Sequence, residues 1–135
     1  MSATFHFEVD STRNLVRLTL SGFFHREDIA ALARARTEAY RGLDGAPNGH
    51  AILIDVRELK IQSQETMKGF ATLLSDREYR SRRVALVVAP TLARTQVERA
   101  FSARPGVACF ADQAGAEAWL LGNDRDLELP LRAAG

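Results

Sequence analysis

Cysteine is almost absent from this 135-residue chain. Cys109 is the only one, which excludes an internal disulfide and any metal site built from cysteines. Lysine is nearly as scarce: Lys60 and Lys68 are the only two, and arginine supplies the rest of the eighteen basic residues, a bias we read as codon usage. Neither sign of charge prevails. Eighteen basic against seventeen acidic residues leave a net charge of +1, which gives no electrostatic footprint for nucleic acid or an anionic membrane. No apolar run approaches the roughly 20 residues of a membrane span, and the N-terminus lacks a signal-peptide core. A reducing cytoplasm is therefore the expected compartment. The signatures of the major α/β enzyme classes are missing as well: there is no G-x-S-x-G elbow, no Walker phosphate loop and no G-x-G-x-x-G. His6, His25 and His50 are too scattered for a metal signature of the HExxH kind, and no metal or cofactor is expected.

What is present suits one globular domain. Hydrophobic residues make up 46% and charged residues 26%, and a chain of this size can bury about 70% of its unfolded surface. Phe5, Phe7 and Val9 alternate with His6 and Glu8, the period of a half-buried strand. After the turn cluster 10–14 the alternation resumes at Leu15 and completes a hairpin. Past Gly22 the period becomes helical, with Ile29, Leu32, Ala39 and Leu43 on one stripe that Arg36 interrupts. AILID, residues 51 to 55, and VALVV, residues 84 to 88, are apolar without alternation, as strands covered on both faces are. Between them a helix begins near Gln64 behind an N-capping Ser63, carrying Met67, Phe70, Ala71 and Leu74 inward. A third helix opens at Pro90 and Thr91. A short strand, 107–110, follows, and a last helix runs from the cap Asp112 to Gly122-Asn123.

The expected order is β-β-α-β-α-β-α-β-α. It describes an α/β fold with a mainly parallel sheet, an antiparallel edge strand and helices covering the sheet. The domain spans residues 3–122, and 123–135 form a tail. Leu127, Leu129 and Leu131 make that tail more apolar than a free end, so a role in homodimer formation is expected of it.

Such sheets gather ligands at the carboxyl ends of their strands, where loops and helix N-termini converge. That edge collects His25 after the second strand, Asp55 through Thr66 after the third, and Thr91 after the fourth. The longest connection there is 56–67, with Lys60, Gln62, Ser63, Gln64 and Thr66.

A strand ending in two hydrophobic residues and Asp, a loop, a Ser at a helix start and an inward Met/Phe/Leu face together resemble the STAS domain. The ending FADQAGAEAWL adds a likeness to its SpoIIAA-like branch, whose fold is shared with CRAL-TRIO domains. The resemblance implies a non-enzymatic regulatory domain of a bacterial cytoplasm, related to anti-sigma-factor antagonists and acting on a partner protein. In signalling members the loop reads Asp-Ser-Ser-Gly, and its first Ser is phosphorylated. Those positions are Gln62, Ser63, Gln64 and Glu65 here, so Ser63 alone matches. It is the candidate phosphoacceptor, beside its plainer reading as an N-cap worth about 1 kcal/mol. Asp55, Lys60, Gln62, Ser63, Thr66, Thr91 and His25 form the expected contact surface.

Two other readings stand beside this one. An apolar-ligand or lipid carrier of CRAL-TRIO-like architecture would line its pocket with Phe23, Phe24, Phe70 and Leu74. A small enzyme would use Asp55 and His25, although Asp55 also suits a pair with Arg57. The run 76–83, with four arginines and Tyr79 among its residues, reads as a solvated helix end, Cys109 as a buried thiol, and Trp119 as the anchor of the last helix.

Overall fold

The computed structural model describes residues 2–43, 49–76, 81–101 and 105–122. The tail from 123 onward lies outside the described residues. The strands β1 (Thr4–Asp10) and β2 (Leu15–Gly22) form the hairpin, followed by α1 (Arg26–Tyr40), β3 (Ala51–Leu59), α2 (Gln64–Ser75), β4 (Arg83–Val87), α3 (Leu92–Phe101), β5 (Val107–Phe110) and α4 (Gln113–Leu120). The sheet order is β1-β2-β3-β4-β5. Only β1 is antiparallel to its neighbour; AILID and VALVV lie side by side and parallel, with Ile52 opposite Val84 and Ile54 opposite Leu86.

That order explains the layers. Right-handed crossovers between strands that advance steadily in one direction put every connecting helix on the same face. Accordingly α1, α2 and α3 share one face, where Leu32, Met67, Phe70, Val97 and Phe101 pack on Leu18, Ile52, Ile54 and Leu86. The opposite face has α4, whose Ala116 and Leu120 cover Leu15, Leu53, Ala85 and Phe110. A single eight-residue helix cannot cover five strands. No described helix covers the β1–β2 half of that face, and its outward residues are polar: Thr4, His6, Glu8 and Thr19 are exposed.

Several polar residues in apolar settings find their reasons here. Arg36, the break in the α1 stripe, donates from Nη1 to the Leu73 carbonyl at 2.8 Å and from Nη2 to Asp76 at 3.2 Å, so it holds the end of α2. Arg83 is not part of a solvated helix end. It opens β4, is fully buried, donates to the Trp119 carbonyl and lies 5.4 Å from the centroid of the Trp119 ring. Arg82 donates to the Leu120 carbonyl at 3.1 Å. Two guanidinium groups thus satisfy the last carbonyls of α4, where cations are favoured. The helix α4 ends at Leu120, just before Gly122, whose amide donates to the Trp119 carbonyl at 3.3 Å; Asn123 lies outside the described residues. Trp119 does anchor α4, 5.6 Å from Phe110.

Candidate functional site

The third strand is longer than its apolar run. β3 continues to Leu59 through a register shift opposite Thr19–Ser21 that keeps both Val56 and Leu59 buried. The connection to α2 is therefore only residues 60–63, and the edge it builds is compact.

Gln62 holds this edge from the inside. Its Oε1 accepts the Phe24 amide at 2.8 Å, and its Nε2 donates to the Gly22 carbonyl at 2.9 Å and to that of Lys60. Gln96 of α3 accepts the Gln62 amide at 2.8 Å and returns a bond to the Gln62 carbonyl at 2.6 Å. Thr66 donates to the Phe24 carbonyl at 2.9 Å. The frame also explains Gly22: with φ +84° it presses so close to Ser2 that a Cβ would sit 2.2 Å from the Ser2 carbonyl oxygen. Gln62 and Thr66 were expected on the contact surface, but they are 4% and 5% exposed. Their hydrogen-bonding capacity is spent on backbone groups, and the buried Phe24 amide and carbonyl find their partners there.

The outer surface of the edge consists of Lys60, Ser63, Gln64, Glu65, His25 and Thr91, all exposed. Ser63 is the N-cap of α2: its hydroxyl accepts the Thr66 amide at 3.1 Å and donates to Thr66 Oγ1 at 3.1 Å. His25 caps α1, packs edge-on against Phe23 at 5.1 Å, and its amide donates to Asp28 at 2.8 Å. Arg26 pairs with Glu65 at 2.7 Å and ties the starts of α1 and α2 together. Thr91 immediately precedes α3, its carbonyl accepting the Arg94 amide.

Asp55 does not join this surface. Strand alternation turns its side chain to the α4 face, opposite the helices that carry Ser63 and His25. It lies in a polar groove of about 340 Å³ with His6, Glu8, Arg17, Thr19, Gln113 and Glu117. Arg57 grips it with bonds of 3.0 and 2.7 Å from the side chain and 3.1 Å from the amide. Partial burial works to raise the carboxyl, but the Arg57 bonds prevail and hold it below its ordinary value. The Asp55–His25 pair required by a small enzyme is therefore not assembled. In the same groove Arg17 bridges Glu8 at 3.2 Å and Glu117 at 3.0 Å, joining residues 100 apart in the chain, which no local pattern announces.

The interior leaves little space for a guest. Between the sheet and the three helices is an apolar cavity of about 60 Å³ lined by Leu18, Ile54, Phe70 and Leu74 among others, against the roughly 300 Å³ or more of ligand pockets. Phe23 and Phe24 do not line it; Phe24 is sealed against Phe70 with ring centroids 5.3 Å apart. Away from the edge, His50 is buried, donates to or accepts from Ser81 at 2.8 Å and meets the Tyr40 ring at 4.5 Å. Burial lowers its pKa to about 4. Burial also pushes the Cys109 thiol up to about 11, so it is inert as a nucleophile at neutral pH. Among the described residues no group of three or more His, Cys, Asp or Glu could hold a metal ion, and no helix is long and apolar enough to cross a membrane.

No protein-family model matches the sequence, and no curated protein matches it. Solved structures do. A DUF3478-family protein with a SpoIIAA-like fold from Shewanella loihica PV-4 superposes with a TM-score of 0.68 at 20% identity, over 89% of this chain and 96% of that one. An anti-sigma factor antagonist from Mycobacterium paratuberculosis superposes with a TM-score of 0.58 at 17% identity, over 90% of this chain and 96% of the other. The chain has the SpoIIAA-like α/β fold, as its resemblance to the STAS superfamily implied.

Proposed function

We propose that the chain is a non-enzymatic regulatory domain that binds a partner protein through the edge where α2 begins. The observation that carries this reading is the position of Ser63. It is exposed at the N-cap of α2, on a loop fixed from beneath by Gln62, Gln96 and Thr66. A rigid, solvent-facing edge costs little entropy to dock against. A phosphate on Ser63 would add a charge of about −2 at a helix N-terminus, where anions are stabilised, and would change that surface without unfolding it. The anti-sigma factor antagonist with the same fold supports the regulatory class. Gln62, Gln64 and Glu65 replace the Asp, Ser and Gly of the signalling loop, so an enzyme that modifies Ser63 must read a different flank.

The carrier reading is disfavoured by the 60 Å³ cavity. The test is affinity capture from host extract with wild type and Ser63→Asp as bait, together with the intact mass of the native protein. The expected result is a discrete protein that wild type holds and Ser63→Asp loses, with a phosphorylated fraction of the native chain. Identical captures by both baits and an unmodified mass under every growth condition overturn the Ser63 role.

A further inference from the structure

A groove of about 580 Å³ runs between α2 and α3, next to Ser63. Met67, Ala71 and Ala100 line it, Ile61 stands at its mouth, and Lys68 and Arg99 flank it. Ile61 is 52% exposed, and the other large hydrophobic so exposed among the described residues is Leu121, beyond the end of α4. Among the described residues no carboxylate lines the groove. The acidic residues nearby are engaged elsewhere: Glu65 with Arg26, and Glu98 with Arg94 on α3 itself. Seven described arginines have a carboxylate within ion-pair distance. Lys68 and Arg99 have none among the described residues, although they sit on the same two helices as Glu65 and Glu98.

We infer that this groove seats an acidic amphipathic helix of the partner protein. The inference rests on the reading above that the chain works by binding a protein. An apolar floor narrowed by two alanines lets a helix approach closely, and α2 gives it a track of about 18 Å, or three turns. Such a helix would present apolar residues at i, i+3/i+4 and i+7 to the floor. Carboxylates on its flanks would complement the two cations. A second copy of this chain fits less well, because a two-fold contact through the groove would set Lys68 and Arg99 against their own kind. Two cations beside an apolar floor, in a chain of net charge +1, also make a poor nucleic-acid surface.

The test uses the full chain and two fluorescent stapled helices of about three turns, alike in their leucine face, one flanked by glutamates and the other by lysines. Anisotropy at low salt is expected to show binding of the glutamate helix in preference to the lysine helix. The double variant Lys68→Glu/Arg99→Glu is expected to lose about ten-fold or more for the glutamate helix and to gain for the lysine helix. Both substituted side chains are solvent-facing, and circular dichroism checks that the variant is folded. Equal binding of the two probes, binding of neither, or no response to charge reversal overturns the inference. A dimer that Ile61→Asp dissolves would give the groove to a second copy and also overturn it. The two readings fail separately. A captured protein lost with Ser63→Asp but kept by the double variant removes the groove and leaves the regulatory edge. A groove that discriminates the probes while Ser63→Asp alters no capture removes the role of Ser63 alone.

Discussion

Gln62 and Gln96, on the β3–α2 loop and on α3, hold each other by a two-way bond: the Gln96 side chain accepts the Gln62 amide at 2.8 Å and donates to the Gln62 carbonyl at 2.6 Å. The Gln62 side chain extends the clamp to Phe24 and Gly22. Removing it by Gln62→Ala leaves the buried Phe24 amide without its acceptor, while the Gly22 carbonyl keeps the Lys60 amide at 3.1 Å, so the cost is about 1–3 kcal/mol. Urea denaturation should show a lower midpoint with an unchanged slope; a midpoint equal to wild type contradicts the clamp.

Ser63 separates capping from modification. Ser63→Ala should cost about 1 kcal/mol, because the Thr66 amide loses its acceptor, whereas Asp is as good an N-cap as Ser. Thermal denaturation should therefore place Ser63→Asp at or above wild type and Ser63→Ala below it. The reverse order would mean that the hydroxyl does not cap α2 in solution.

His50 makes stability depend on pH. Its folded pKa is lowered from 6.5 to about 4 by burial, so the unfolded chain binds the proton first. Stability from this group is fully present above pH 6.5, falls as pH drops toward 4, and levels off below that, a loss of about 3 kcal/mol at most. Urea midpoints across this range should fall, and His50→Gln should flatten the fall. An identical slope in the variant would assign the acid sensitivity elsewhere.

The interior should be empty of lipid. Organic extraction of the purified protein followed by mass spectrometry should return no lipid near one per chain, because the cavity holds about 60 Å³. A stoichiometric lipid would restore the carrier.

The tail lies outside the described residues; its sequence carries Leu127, Leu129 and Leu131. Deleting residues 124–135 should weaken self-association in sedimentation velocity; an unchanged profile contradicts that role.

The periods of the sequence were enough for the element order, the antiparallel edge and the parallel core, because each rests on burial that recurs every two or 3.6 residues. The Ser63 and Asp112 caps were legible for the same local reason. Gln62 was not. A glutamine in a polar loop looks solvent-facing until its partners, 34 to 40 residues away, are known. Asp55 was put on the wrong surface because the apolar run ends there while β3 does not. Once the strand continues to Leu59, alternation sends Asp55 to the α4 side. Arg83 misled in the opposite way, since its neighbours in the chain are charged but its neighbours in space are the end of α4.

Hydrogen–deuterium exchange of the chain alone and with its captured partner tests most directly where binding occurs. Protection is expected at residues 60–68 and at the groove-facing part of α3, with β1 and β2 unchanged. Protection centred on the groove around His6, Arg17 and Asp55, with none at α2, would contradict the proposed binding edge.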